Sequence, residues 1–189
     1  MGDKDLAFVV RQHRYHFPDG FFARLGPRFL REYYRAFLTG SAARAAIAEL
    51  DGQPAGYLVG VTDPVAHRDH ILQRHGTTLA CQAMVAMVTR PSLGVCFLRT
   101  RFVLYARKLL RRRRANRQTT EPVPPGATAV LTHVAVAPEA QSYGIGSHLI
   151  RLFDAEATAA GCEQITLVTA SGEDGAGPYY RRRGWAALG

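Results

Sequence analysis

The feature that most constrains the fold is the stretch from Ala129 to Gly161, where an apolar run passes through a glycine-rich corner into a helical pattern. Residues Ala129–Ala137 are rich in Val, Leu and Thr, as buried strands are. Pro138 ends the run, because proline cannot donate a hydrogen bond to a neighbouring strand. Beyond the corner, apolar residues recur with the period of a helix until Gly161, a residue typical of helix ends. The stretch therefore predicts a strand, a tight corner and a long helix.

The corner itself reads Gln141-Ser142-Tyr143-Gly144-Ile145-Gly146-Ser147 and has the composition of an anion site. The first N–H groups of a helix are unpaired and carry partial positive charge. Glycines let these groups approach an anion closely. The third glycine of a dinucleotide loop and the Lys-Ser/Thr of a nucleoside-triphosphate loop are both missing. The residues favour a pyrophosphate seat, and a tight turn without a ligand is the alternative.

Two motifs in the C-terminal third resemble those of the GNAT family of N-acetyltransferases. The first is a strand ending in Val136-Ala137-Pro138, followed by Gln141-x-x-Gly144-x-Gly146. The second runs from Ala176 through Tyr179-Tyr180 to Gly184-Trp185. Their order and spacing are those of the family, which makes the pair more specific than either motif alone.

The resemblance implies an α/β fold, a mixed central sheet flanked by helices, with acetyl-CoA as cosubstrate and no metal. Backbone groups of the strand would bind the pantetheine arm, and the corner would bind the pyrophosphate. Tyr180 would be the general acid for the leaving thiolate; a core tyrosine that anchors the last helix is the alternative. The cosubstrate-binding residues implied are Val134, Ala135, Val136, Gln141, Ser142, Tyr143, Gly144, Ile145, Gly146 and Ser147.

A general base is harder to assign from the sequence. An amine with a pKa near ten must lose a proton, which a nearby carboxylate or histidine can accept. His133 lies on the predicted strand, on the opposite face to Val134 by alternation, and an unperturbed histidine pKa is about 6.5. Glu173 and Asp174 are alternatives, a structural role for His133 is another, and some family members have no dedicated base.

The N-terminal part has the order of elements with which the family begins. Leu6–Val10 predicts a first strand, and a turn follows at Phe17–Gly20. Pro27 is suited to the first turn of a helix. Ala45–Leu50 and Gly56–Thr62 then predict a β-hairpin. The helix after Pro27 has one apolar face, formed by Phe29, Leu30, Tyr33, Tyr34, Phe37 and Leu38.

The unusual part is residues 63–125, which we interpret as a helical insertion between the third and fourth predicted strands. Two helices are expected, at His70–Val88 and Ser92–Arg114. Residues 70–120 hold eleven Arg or Lys and no Asp or Glu, while the rest of the chain holds 13 basic and 15 acidic residues. The net charge of +9 is therefore local to the insertion.

Three interpretations of this basic insertion stay open. It could be a helical lid with solvated arginines, a surface for an anionic membrane or acidic partner, or a nucleic-acid site. As a surface for an anionic partner, the insertion could also attract the anionic acetyl-CoA through its positive electrostatic field. Nucleic acid is disfavoured, because no recognised motif accompanies the arginines and aromatics do not alternate with them. Arginines at 90, 99, 101 and 107 interrupt both apolar stretches, which argues against a transmembrane span.

The chain of 189 residues has the size and composition of one globular domain, residues 1–189, with 47% hydrophobic and 21% charged residues. Its polar, acidic start lacks a secretory signal, so we expect a cytoplasmic protein, peripheral to a membrane if the insertion binds lipid. Little sequence follows Gly184-Trp185, which predicts a shortened C-terminal end of the sheet; a homodimer covering the open edge is one solution.

These observations predict an N-acetyltransferase that moves an acetyl group from acetyl-CoA to a primary amine. The acceptor could be a small molecule, such as an amino sugar or another metabolite, or a protein. The alternative is a non-enzymatic acyl-CoA sensor or membrane-associated adaptor that uses the basic insertion as its interaction surface.

Overall fold

The computed structural model describes residues 1–95, 128–169 and 176–187, which form a mixed sheet flanked by helices. Within these ranges the sheet has four strands in the order β1-β2-β3-β4. Neighbours from β1 to β3 are antiparallel, whereas β4 is parallel to β3. The predicted α/β class is confirmed. The strands are β1 Ala43–Leu50, β2 Gln53–Val61, β3 Thr128–Val136 and β4 Gln164–Leu167.

Helices precede, interrupt and follow these strands, and residues 91–95 are also helical. Two 3₁₀ turns, at Asp3–Asp5 and Pro138–Ala140, and one π-helical turn, at Ile71–His75, complete the described elements. The α-helices are α1 Leu6–His16, α2 Phe21–Leu25, α3 Pro27–Thr39, α4 Pro64–His70, α5 Gly76–Thr89, α6 Ile145–Ala159 and α7 Gly177–Arg181.

The prediction of a first strand at Leu6–Val10 is wrong, because this segment opens α1. Leu6 and Val9 are fully buried and His13 is 2% exposed, so the buried positions recur every three to four residues. Five consecutive apolar residues satisfy a strand and a buried helix equally well, and only packing against the sheet decides between them. The insertion accordingly follows the second strand of this sheet. After β4, no strand appears among the residues described as far as Ala187.

The predicted helix and hairpin of the N-terminal half are confirmed. Helix α3 begins at Pro27 and ends before Gly40. Strands β1 and β2 are joined by Asp51 and Gly52, with φ angles of +51° and +75°. Two successive positive φ angles are typical of a type I′ turn, whose twist matches that of the strands it joins.

Two hydrophobic clusters hold the helices on opposite faces of the sheet. Helices α1 and α3 pack on one face, where Tyr57 and Val59 are fully buried. Helix α6 packs on the other face through Leu149 and Phe153. At the point of closest approach β2 carries Gly60; a Cβ there would lie 2.5 Å from Cε2 and Cζ of Phe153.

The described part of the insertion confirms helical structure for the stretch predicted at His70–Val88. Asp63 caps α4, since its Oδ1 accepts hydrogen bonds from the N–H groups of Val65 and Ala66 at 3.0 Å. Helix α5 rests on α2 and α3 through Leu79 and Ala86. The second predicted helix, at Ser92–Arg114, lies outside the described residues from position 96 onward. In the described ranges, no helix is both long and apolar enough to cross a membrane.

Replacing Gly60 with Ala should destabilise the fold by about 1–3 kcal/mol, because the added methyl group overlaps the Phe153 ring. Urea denaturation of both proteins measures the free energy of unfolding. Gly76→Ala is the matched control: Gly76 begins α5, its nearest neighbour is 3.6 Å away, and alanine there should stabilise by about 0.5–1 kcal/mol. Equal losses in the two variants would contradict the close approach of α6 to β2.

Candidate active site

The site starts where β3 and β4 separate. The two strands pair only from Thr128 to Leu131 on β3 and from Gln164 to Leu167 on β4. Beyond Leu131, β3 keeps its antiparallel partner β2 as far as Val136. On the β4 side the described strands diverge. Beyond Leu131, the described residues therefore give β3 no partner on the β4 side.

The hydrogen bonds of β3 indicate which backbone groups face this opening. The N–H of Ala137 donates to the carbonyl of Ala55 on the β2 side at 2.8 Å. Because successive residues of a strand direct their backbone groups to opposite sides, those of Ala135 also face β2, and those of Val134 and Val136 face the opening. The carbonyl of Val136 accepts a hydrogen bond from His16 Nε2 at 2.9 Å. Of the three residues predicted to bind pantetheine, Val134 is thus best placed.

The glycine-rich corner is shaped as an anion seat. Ser142 and Gly144 have positive φ angles of +69° and +77°, and Gly144 is the N-cap of α6. The first helical hydrogen bond is donated by the His148 N–H to the Gly144 carbonyl at 3.0 Å. The N–H groups of Ile145, Gly146 and Ser147 have no acceptor within the described ranges. Three free N–H groups at a helix N-terminus fit the pyrophosphate of acetyl-CoA.

Sequence reasoning missed a cation at this corner, Arg183. Its Nη2 donates to Ser147 Oγ at 2.6 Å, and its guanidinium carbon lies 3.7 Å from the centroid of the Tyr179 ring. Tyr179 and Ser147 are also joined, with 3.3 Å between their hydroxyl oxygens. The sequence offered three consecutive arginines, Arg181–Arg183, but no local signal shows which of them returns to α6.

Both residues predicted to be catalytic, Tyr180 and His133, line one cavity of about 850 Å³. Its walls come from α1, α2 and the turn between them, from the diverging ends of β3 and β4, and from α7. The other two candidate bases, Glu173 and Asp174, lie outside the described residues. We refer to this cavity as the acceptor cleft.

A β-bulge places His133 in the acceptor cleft. In the pairing of β2 with β3, Val59 is opposite His133 and Gly60 is opposite Leu131, so Thr132 is an extra residue. Leu131 packs with the α6 cluster, whereas His133 lies beside residues of α1 and α3. His133 and Val134 lie on opposite faces of β3, as predicted, because Val134 packs against the α6 cluster.

The surroundings of His133 make it a weak base. Its ring centroid lies 4.9 Å from that of His13, and its Nε2 lies 3.5 Å from the Tyr33 hydroxyl. Burial, with a further contribution from His13, lowers the pKa of His133 to about 3. Burial likewise lowers the pKa of His13 to about 4. Both imidazoles are therefore neutral at pH 7.

The two tyrosines of α3 divide into a core residue and a cleft neighbour. Tyr34 is fully buried, in agreement with its place on the predicted apolar face of this helix. Its hydroxyl contacts His13 Nδ1 at 2.6 Å and the Tyr57 hydroxyl at 2.9 Å. Tyr33 contacts His133 directly. Helix α3 thus supports the acceptor cleft through a hydrogen-bonded aromatic cluster.

Tyr180 has features of both roles considered for it. It is 9% exposed, and its ring packs against Tyr179 and Trp185, as an anchoring residue would. Its side chain also lines the acceptor cleft, and its hydroxyl has no hydrogen-bond partner in the described part of the chain. Burial, reinforced by Tyr179 and opposed by Arg183, raises the pKa of Tyr180 to about 12. Tyr180 is therefore protonated and able to donate at neutral pH.

Known proteins share both the C-terminal motifs and the fold. Residues 107–185 match the model of the acetyltransferase (GNAT) family. The match to this family is thus confined to the C-terminal part of the chain. The protein is an acetyl-CoA-dependent acyltransferase, and acetyl-CoA is its cosubstrate. A sequence search of the curated proteins gives no match.

Solved structures resemble the acetyltransferase in fold at low sequence identity. A predicted acetyltransferase from Clostridium acetobutylicum, solved with acetyl-CoA, has a TM-score of 0.55 and 14% identity, covering 100% of this chain and 88% of its own. An aminoglycoside N-acetyltransferase in complex with CoA has a TM-score of 0.53 and 12% identity. The match covers 97% of this chain and 80% of the aminoglycoside N-acetyltransferase. A ribosomal-protein-alanine N-acetyltransferase from Brucella melitensis biovar Abortus 2308 has a TM-score of 0.50 and 13% identity, covering 100% and 89%.

The described residues contain no cluster of three or more His, Cys, Asp or Glu side chains arranged to hold a metal ion.

Replacing Arg183 with Ala should weaken acetyl-CoA binding about 3- to 30-fold, because a cation beside three free N–H groups is removed from the phosphate seat. Calorimetric titration with acetyl-CoA measures the dissociation constant. Arg182→Ala is the matched control, since Arg182 is exposed and makes no contact with Ser147. Gly146→Glu, which brings a carboxylate to the same corner, should abolish binding. Unchanged affinity in both Arg183→Ala and Gly146→Glu would contradict this assignment.

Proposed function

We propose that the acetyltransferase transfers the acetyl group of acetyl-CoA to a primary amine of a small molecule or protein bound in the acceptor cleft. The observation that carries the proposal is that Tyr180 and His133 line one cavity, which opens at the diverging ends of β3 and β4. The exposed edge of β3 there can hold an extended pantetheine arm by backbone hydrogen bonds.

Direct attack requires no covalent enzyme intermediate. The amine nitrogen forms a bond to the thioester carbonyl carbon, the carbon–sulfur bond breaks, and the electron pair of that bond leaves with the sulfur. The nitrogen loses one proton and the thiolate gains one, so the protein ends in its starting protonation state. A donor near the sulfur and an acceptor near the nitrogen would each lower the barrier.

Tyr180 is our candidate for the donor near the sulfur. With a pKa of about 12 it stays protonated, and a thiol has a pKa of about 8.5, so complete proton transfer from Tyr180 to the thiolate is uphill. A hydrogen bond to the developing thiolate is favourable throughout. The proton released by the attacking nitrogen can then neutralise the sulfur, with Tyr180 as the relay.

His133 is our candidate for the group near the nitrogen, with a restricted role. A pKa of about 3 makes its imidazole a poor acceptor of a proton from an ammonium ion. The neutral ring can still accept a hydrogen bond from a neutral amine and orient its lone pair toward the carbonyl. The amine is therefore expected to react as its neutral form.

Replacing Tyr180 with Phe should lower kcat about 10- to 100-fold while leaving the dissociation constant of acetyl-CoA unchanged, because the variant loses the hydrogen bond to the leaving sulfur and the proton relay. Release of CoA in the presence of an amine measures kcat, and calorimetry measures binding. Tyr15→Phe, a change in an exposed tyrosine outside the acceptor cleft, is the control. Equal turnover in the Tyr180 variant and the wild type would leave Tyr180 as a packing residue only.

We also propose a peripheral membrane location for the acetyltransferase, because one face of α5 is apolar and exposed. Met84, Val85 and Val88 are 58%, 63% and 80% exposed, and α5 contains no charged residue. The sequence from 70 to 120 adds eleven basic residues and no acidic ones. Exposed apolar side chains beside basic residues are the composition that binds anionic lipid surfaces.

The protein should therefore co-sediment with vesicles that contain phosphatidylserine and should not co-sediment with neutral phosphatidylcholine vesicles. The double variant Val85→Ser/Val88→Ser should lose most of this binding, as should replacement of Arg111–Arg114 with Gln. Leu152→Ser, on α6 and 41% exposed, is the control for loss of a surface apolar residue. Absence of binding to anionic vesicles by the wild type would refute the membrane location.

A further inference from the structure

The acceptor cleft has an aromatic wall on the side away from β4. The turn between α1 and α2 is tight, with the Gly20 N–H donating to the Phe17 carbonyl at 3.1 Å, as predicted for Phe17–Gly20. This turn brings Phe17, at the end of α1, and Phe22, on α2, to the same cavity. His13 and His16 of α1 complete that wall.

Contacts with neighbouring rings hold these aromatic side chains in place. The Phe17 centroid lies 5.1 Å from that of His13 and 5.5 Å from that of His133. The Phe22 centroid lies 4.9 Å from that of Tyr33. Phe22 is nevertheless 36% exposed. A large apolar side chain that is held in place and still exposed at a cavity is typical of a ligand-binding surface.

The described part of the acceptor cleft lacks carboxylates, lysine and arginine. His13 and His133 are neutral at pH 7, because burial lowers their pKa values to about 4 and about 3. Moving an ammonium ion from water into such surroundings is costly unless an opposite charge meets it.

We propose that the acceptor of this acetyltransferase is an aromatic amine, whose ring stacks on Phe17 and Phe22 and whose nitrogen enters uncharged. The proposal deepens the N-acetyltransfer proposed above and rests on it. An aniline-type nitrogen is neutral at pH 7, since its lone pair is shared with the ring. It needs neither a counter-charge nor a strong base. This agrees with the absence of Asp, Glu, Lys and Arg among the described residues of the cleft and with the low basicity of His133.

Three amines with a six-membered ring separate the effect of the ring from that of the charge. Aniline is aromatic and neutral at pH 7, benzylamine is aromatic and cationic, and cyclohexylamine is aliphatic and cationic. Formation of each acetamide from acetyl-CoA gives kcat/KM. We expect aniline to exceed cyclohexylamine at least 10-fold at pH 7, with benzylamine between them and rising with pH as its neutral fraction grows.

Variants of Phe22 test whether the wall causes this preference. Phe22→Ala should lower kcat/KM for aniline about 5- to 10-fold through loss of a stacking partner. Phe22→Asp should lower it for aniline and raise it for cyclohexylamine, because a carboxylate now meets the ammonium ion. A misfolded variant could not show that gain. Tyr15→Ala, an exposed aromatic of α1 outside the cleft, is the control for aromatic truncation.

The outcomes separate this inference from the proposed function. Acetylation of cyclohexylamine as efficient as that of aniline would overturn the aromatic acceptor and leave N-acetyltransfer standing. An unchanged ratio of the two amines in Phe22→Asp would also overturn it. If acetyl-CoA binds but a broad amine panel, including these three, is not acetylated, the proposed function itself fails, and the acyl-CoA sensor predicted as its alternative gains support.

Discussion

The constraint on which the site depends is the short pairing of β3 with β4. Four residues of each strand pair, and among the described residues β3 then continues with only β2 beside it. Backbone N–H and C=O groups that leave water need partners, so an open strand edge inside a protein is costly unless something fills it. His16 occupies one such group, the Val136 carbonyl. We propose that an extended cosubstrate binds along the remaining edge.

The extra residue Thr132 then joins the two faces of the sheet into one site. Without it, Leu131 and His133 would point to the same face, because side chains alternate along a strand. With it, Leu131 packs in the α6 cluster while His133 contacts α1 and α3. The acceptor cleft consequently receives side chains from the N-terminal helices as well as from β3.

Burial of the titratable side chains determines which chemistry the acceptor cleft can support. His13 and His133 have lowered pKa values and Tyr180 has a raised one, in each case mainly because burial disfavours the charged form. Among the described residues, the cleft therefore offers hydrogen-bond donors and acceptors but no strong acid or base. The positive charge lies at the other end of the site, where Arg183 meets the N-terminus of α6. The neutral acceptor and the anionic cosubstrate of our proposal would thus bind at separate places.

The sequence alone determined the features that depend on local rules: the β1–β2 hairpin, the starts of α3 and α6, and the candidate role of Tyr180. Turn glycines, a helix-initiating proline and regular apolar periods are read from neighbouring residues. Only the tertiary structure decided that Leu6–Val10 is helical, that Thr132 bulges, and that Arg183 and Phe22 belong to the site. These outcomes depend on contacts between segments far apart in the chain, for which a short apolar run or one arginine among three carries no local signal.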